Sequence, residues 1–115
     1  MPSDIDLLKR LYSDFNARRM DAVLAWLHPD VVWANGMEGG YVHGRDGVRE
    51  YWTRQWAIID PHVEPMHFVA GEAGMVEVEV HQLVRDHEGN TLADRMVGHV
   101  FHVEDGVVRR FDIRP

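Results

Sequence analysis

Cysteine is absent from this sequence, so neither disulfide bridges nor thiolate metal sites enter its chemistry. Serine occurs only at Ser3 and Ser13. Neither sits in a nucleophile motif, which argues against acyl-enzyme chemistry. Lysine occurs once, at Lys9, and the 12 Lys and Arg face 19 Asp and Glu, for a formal net charge of −7 with His neutral. A chain of that sign repels nucleic acid and anionic membrane surfaces. No apolar run approaches the roughly 18 residues of a membrane span, and the opening M-P-S-D-I-D lacks the basic and apolar regions of a signal peptide. The expectation is a cytoplasmic protein that engages neither nucleic acid nor membrane.

What is present suits a packed globule: 45% of the 115 residues are hydrophobic and 10% aromatic. That length falls within the usual size of one domain, expected to span residues 1–115. Ser3 and Asp6 have capping-box spacing, and Ile5, Leu8, Leu11, Tyr12 and Phe15 recur at helical intervals. They predict an amphipathic helix over 3–17. Met20, Val23, Leu24 and Leu27 predict a short helix over 20–27, ended by His28-Pro29. Val31-Val32-Trp33 reads as one short strand leading into the loop N-G-M-E-G-G. A third helix is expected from Gly44 to Ile59, stopped by Asp60-Pro61. Four strands then follow over 62–70, 75–85, 91–103 and 107–113, separated by Gly-containing turns. No internal repeat or linker interrupts this order. It implies an α+β fold in which one curved, mostly antiparallel sheet packs against segregated helices.

Cross-strand partners in a hairpin have a constant residue-number sum, so the turns predict which residues share a face. A Glu88-Gly89 turn groups Val76, Val78, Val80, Gln82 and Val84 with Val97, His99, Phe101 and Val103 on the core face. At the last hairpin, an Asp105-Gly106 turn places Phe101 opposite Arg110 and His99 opposite Asp112. A bulged three-residue loop would instead turn Arg109, Phe111 and Ile113 inward. The Asp-Gly turn is preferred, with Phe111 and Ile113 then covering a dimer surface with Leu83, Met96 and Val100.

That register makes His99 and Asp112 a candidate catalytic pair. A carboxylate would fix the imidazole tautomer and favour its cationic form, bringing its pKa toward working pH for general acid or base catalysis. Arg110 would serve as an oxyanion partner. The structural alternative is a core histidine that only satisfies a carboxylate or backbone group. Metal binding is disfavoured, because His99 and His102 lie on opposite faces of one strand and no H-E-x-x-H spacing occurs. Asn35 and Glu38, in the glycine-rich loop, could reach a cavity mouth, or the loop could be plain surface.

The stretch R-E-Y-W-T-R-Q-W, residues 49–56, mixes aromatics with arginines. Helical spacing separates them: Val48, Tyr51, Trp52, Gln55, Trp56 and Ile59 form one face, and Arg49, Glu50, Thr53 and Arg54 lie largely on the other. Gln55 is the anomaly on the apolar face. A buried amide destabilises unless its donors and acceptors are met, so either the protein satisfies it or a ligand does.

Three stretches, L-Y-S-D-F-N-A-R-R-M-D-A-V-L-A-W-L-H-P-D-V-V-W (11–33), G-R-D-G-V-R-E-Y (44–51) and H-V-F-H-V-E-D-G-V-V-R-R-F-D (99–112), resemble in kind and order the nuclear transport factor 2-like superfamily. Within it, the polyketide cyclase (SnoaL-like) and ketosteroid isomerase-like branches are the most similar. The resemblance covers essentially the whole chain. It implies a conical α+β barrel around a pocket, commonly dimeric through the outer sheet face. Ketosteroid isomerase chemistry uses an Asp base with a Tyr and a protonated Asp as oxyanion hole. The matching positions here carry Asn35, Leu11 (with Tyr12 beside it) and His99. Asp112 is similar in position to an acidic residue of limonene epoxide hydrolase-like members, which makes epoxide hydrolysis a further alternative.

The function expected is binding of a compact, apolar or partly polar small molecule in a homodimer's pocket. Catalysis, if present, would be cofactor-free isomerisation, cyclisation or dehydration. His99, Asp112 and Arg110 would be the reactive groups, and Tyr12, Trp33, Asn35, Glu38, Trp52, Gln55, Gln82 and Phe101 the ligand contacts. A non-catalytic ligand-binding or protein-interaction domain is the alternative.

Overall fold

The computed structural model describes residues 3–114. Three helices, α1 (Asp4–Asn16), α2 (Met20–Ala25) and α3 (Gly44–Ile58), pack on a sheet of six strands. The strands are β1 (Leu27–Ala34), β2 (Tyr41–His43), β3 (Ile59–Ala70), β4 (Met75–Asp86), β5 (Thr91–Glu104) and β6 (Val107–Arg114). Their order across the open, curved sheet is β2-β1-β6-β5-β4-β3, antiparallel throughout except for the parallel β1–β6 pair. The expected α+β architecture is therefore present.

Two elements differ from expectation. Helix α2 ends at Ala25, and β1 runs straight through His28-Pro29. Pro29 falls between Leu27 and Val32, where the β1–β6 pairing is interrupted, so its missing N–H costs no ladder bond. Strand β2, hidden in the glycine-rich segment, is only three residues long. Its pairing with residues 32–34 lacks the length that an alternating pattern needs to show.

Helix α1 begins as its sequence requires. Ser3 accepts from the Asp6 amide, and Asp6 accepts from the Ser3 amide, completing the capping box. Leu7, Leu8, Leu11, Tyr12 and Phe15 form its buried stripe. At its end, the Asn16 amide donates to the Val63 carbonyl at 2.8 Å, while its oxygen accepts from the Val63 N–H at 3.0 Å. One side chain thus pairs with the edge strand β3 as a neighbouring strand would, which blunts that edge and holds α1 over the sheet. The same grip sets Tyr12, one turn earlier, above the concave face.

The β4–β5 register agrees with the sequence arithmetic, but by two compensating departures. The turn is wider than two residues, with the Asp86 N–H donating to the Asn90 carbonyl. A bulge between Thr91 and Ala93 then restores the expected sum, so Val80 faces Val97 and Gln82 faces Arg95. The β5–β6 register departs for good. Glu104 pairs with Val107 and Val103 with Val108, as the Asp105-Gly106 turn dictates; Arg109 is then an extra residue, and His102 pairs with Arg110. Beyond this bulge Phe101 faces Phe111, and His99 faces Ile113.

The expected His99–Asp112 pairing is thereby corrected, and with it the inward placement of Arg110. The cause is apolar burial. A regular strand alternates faces, so it could bury Val108 or Phe111 but not both; the extra residue lets both go inward, at 0% and 4% exposure. Phe111 and Ile113 are consequently unavailable to an outer dimer surface. The Arg109 guanidinium, displaced by the bulge, donates to His28 Nδ1 at 2.7 Å.

Gly74 and Gly89 both have left-handed φ, +78° and +89°. A Cβ at Gly74 would lie 2.1 Å from the Val103 carbonyl oxygen, whereas one at Gly89 would meet nothing within 4 Å. Gly89→Ala should therefore lose only the left-handed penalty, roughly 1–2 kcal/mol. Gly74→Ala should lose at least about twice that, because backbone atoms cannot yield to the methyl. Urea unfolding of the two variants measures the difference, and equal losses would contradict the close approach.

Candidate functional site

Between the concave face and helices α1 and α3 lies a cavity of about 200 Å³. Its walls are aromatic because five elements aim rings at one point: Tyr12 and Phe15 from α1, Trp52 from α3, and Trp33, Phe101 and Phe111 from β1, β5 and β6. Trp33 stacks on Phe111 at 4.1 Å and meets Trp52 edge-on at 5.2 Å. Phe15 meets Trp52 and Trp56 edge-on at 5.3 and 5.5 Å. Such contacts fix the rings and leave a flat-sided space between them.

At the inner end, the Tyr12 hydroxyl lies 2.7 Å from His99 Nδ1, with the two rings nearly coplanar in orientation, 6° apart. Both side chains are buried. Burial pushes the tyrosine well above its ordinary 10 and the histidine from 6.5 down to about 3. The pair is therefore neutral across the physiological range. A neutral pair has two hydrogen-bonding arrangements. Tyr12 donates to Nδ1 and leaves Nε2 protonated, or Nδ1–H donates to the phenol oxygen and leaves Tyr12 its own proton to give.

Gln55 lines the cavity. Its amide donates to the Tyr51 hydroxyl at 3.3 Å, and that oxygen also accepts from the Gly36 N–H at 3.1 Å. Gln55 Oε1 is buried and has no hydrogen-bond partner among the described residues; the same holds for Trp56 Nε1. A buried acceptor left unpaired is costly, so the protein does not fully satisfy the amide that the sequence marks as anomalous. At the mouth Gln82 and the exposed Arg95 sit opposite each other, Arg95 Nε donating to Gln82 Oε1 at 3.4 Å. Among the described lining residues no Asp or Glu occurs, and Arg95 is the one permanent charge.

Of the site residues read from sequence, Tyr12, Trp33, Trp52, Gln55, Gln82, His99 and Phe101 converge on this cavity. Asn35, Glu38, Arg110 and Asp112 do not. Asn35 Oδ1 accepts from the Met37 and Glu38 amides at 3.0 and 2.8 Å, so its side chain shapes the loop. Glu38 is exposed and paired with Arg54. Asp112 lies on the outer face, receiving the Tyr41 hydroxyl at 2.6 Å and Arg110 Nε at 2.8 Å. Arg110 foremost, and Tyr41 with it, hold that carboxyl below its ordinary range. The carboxylate that an epoxide hydrolase reading relied on is thus outside the cavity.

Sequence reasoning left Tyr51 and Arg95 off the site. Tyr51 lay in plain view on the apolar face of α3. Arg95 follows from the hairpin arithmetic itself, since the sum that pairs Val80 with Val97 also pairs Gln82 with Arg95.

The model of the SnoaL-like domain family matches residues 8–111. No curated protein matches the chain. Among solved structures, a nuclear transport factor 2-like protein of unknown function from Burkholderia pseudomallei is 26% identical with a TM-score of 0.86, covering 99% of this chain and 91% of its own. TerC, co-crystallised with polyporic acid, is 25% identical with a TM-score of 0.84, covering 96% and 88%. A Mycobacterium tuberculosis epoxide hydrolase of the LEH-like type, at 19% identity and a TM-score of 0.82 over 96% and 80%, shares the fold.

The histidine's depressed pKa has a consequence for stability. Unfolded, His99 takes up a proton near 6.5; folded, it does so only near 3. Its contribution is complete above the unfolded value and is lost as pH falls between the two. At about pH 4 the loss should reach the order of 3 kcal/mol. In His99→Gln, which keeps a hydrogen-bonding group but does not titrate, unfolding free energy should fall less steeply over that interval. Identical pH profiles for the two proteins would mean that folded His99 protonates as readily as unfolded.

Proposed function

The chain belongs to the SnoaL-like domain family, and from that premise we propose that its cavity binds a compact, ring-containing molecule whose oxygen accepts a hydrogen bond from the neutral Tyr12–His99 pair. The step proposed is a cofactor-free proton shift beside that oxygen, as in isomerisation, cyclisation or dehydration: the pair donates to the oxygen while the adjacent C–H proton passes to solvent through the mouth and returns from it to the product. The observation that carries this reading is the 2.7 Å Tyr12–His99 contact at the inner end of an uncharged aromatic cavity. In such surroundings a fixed neutral donor stabilises a developing enolate more than it would in bulk water, because its dipole is already oriented. The aromatic walls suit a planar ligand. TerC's co-crystallisation with polyporic acid supports small-molecule binding by this fold.

A second reading, binding without chemistry, is favoured by one observation. The described lining holds no carboxylate to act as base, and His99 at about 3 is a weak one. Deuterium exchange separates the two. Cyclic 1,3-diketones and hydroxyquinones that bind, as seen by tryptophan fluorescence, are incubated with the protein in D2O and their α-protons followed by NMR. The catalytic reading expects accelerated exchange, reduced about 100-fold or more in Tyr12→Phe. Binding without acceleration would leave the second reading.

We further propose that two chains associate through the outer sheet face, where Val69, Met75 and Met96 are exposed. Sedimentation should then show a dimer, and Met96→Glu a monomer. A monomeric parent protein would refute the assignment.

A further inference from the structure

We propose that the cavity selects ligands bearing an anionic group and that Arg95, at its mouth, is the residue that recognises the charge. This rests on the small-molecule reading above and names the ligand class more narrowly. Arg95 and His99 lie on the same face of β5, as their pairings with Gln82 and Val78 require. Four residues at about 3.3 Å each separate their backbones by about 13 Å, and both side chains line the space between. A ligand of one ring and a short acidic arm spans that distance, its ring oxygen at Tyr12 and His99 and its carboxylate at the guanidinium. The volume agrees: an apolar cavity of about 150 Å³ accepts benzene, and this one is about 200 Å³.

The guanidinium is available. Its one side-chain hydrogen bond among the described residues is the long contact to Gln82 Oε1 at 3.4 Å, which leaves most of its five donors free. Asp94, the acidic neighbour in sequence, points to the outer face and is engaged by His81 at 2.6 Å. Elsewhere in this acidic chain Arg18, Arg49, Arg54 and Arg114 each hold a carboxylate. Arg95 forms no ion pair within the described residues, and the rest of the cavity offers an anion no opposing charge. A planar fork of donors facing an apolar, ring-sized space matches an aromatic acid.

Isothermal titration with three matched pairs tests this: benzoate and benzamide, 4-hydroxycinnamate and 4-hydroxycinnamamide, 2-naphthoate and 2-naphthamide. Each acid should bind about 10-fold or more tightly than its amide, with the advantage shrinking as NaCl rises. In Arg95→Gln the acid should fall to the level of the amide while the amide's affinity stays within about twofold; Arg95→Lys should retain part of the preference. Thermal unfolding confirms that the variants fold. Equal binding of acid and amide in the parent protein, or a preference that survives in Arg95→Gln, would overturn the role of Arg95 and leave the small-molecule reading standing. If no member of any pair binds, the aromatic-acid class falls; if the cyclic 1,3-diketones and hydroxyquinones fail to bind as well, the small-molecule reading falls with it.

Discussion

Everything distinctive about this cavity depends on one extra residue in β6. The bulge at Arg109 reverses the faces of all that follows, turning Phe111 and Ile113 to the cavity side and Arg110 and Asp112 to the outer side. The driving force is apolar: two large side chains, Val108 and Phe111, can be buried together only if the alternation is broken between them. Its electrostatic effect is larger than its size suggests. A regular strand would have placed an aspartate against His99 and made an ion-pair site. The bulged strand leaves the imidazole among rings, with a phenol as its partner.

From that follows a neutral interior. Desolvation is not opposed by any nearby carboxylate, so the histidine loses its proton and the tyrosine keeps its own. Polar groups in the cavity then work through oriented hydrogen bonds, with net charge confined to the mouth. The charge-bearing residues displaced from the interior are put to structural use outside, where Tyr41, Arg110 and Asp112 tie β2 to β6.

The helices complete the site because of how they are anchored. Asn16 grips the edge of β3 through both of its polar atoms, which sets the tilt of α1 and the height of Tyr12 over the sheet. On α3 the aromatic face turns inward and the arginines outward, where Arg49 meets Asp21 and Arg54 meets Glu38. Gln55 is carried inward with the rings and remains partly unsatisfied.

The sequence alone determined the order of every element but β2, the capping box, the inner face of β4 and β5, and most of the cavity's aromatic lining. These are local properties, set by periodicity and turn chemistry within a few residues. His99 could be placed on the inner face for the same reason. Its partner could not, because register beyond a turn depends on where a strand bulges. Here the bulge is decided by packing against the end of α2 and the start of β1, where the Trp26 carbonyl receives the Val108 N–H at 2.7 Å and His28 receives Arg109. Those contacts join segments some 80 residues apart. The choice between an ion pair and a neutral phenol–imidazole pair was therefore made by tertiary structure, through the area buried when Val108 and Phe111 both face inward.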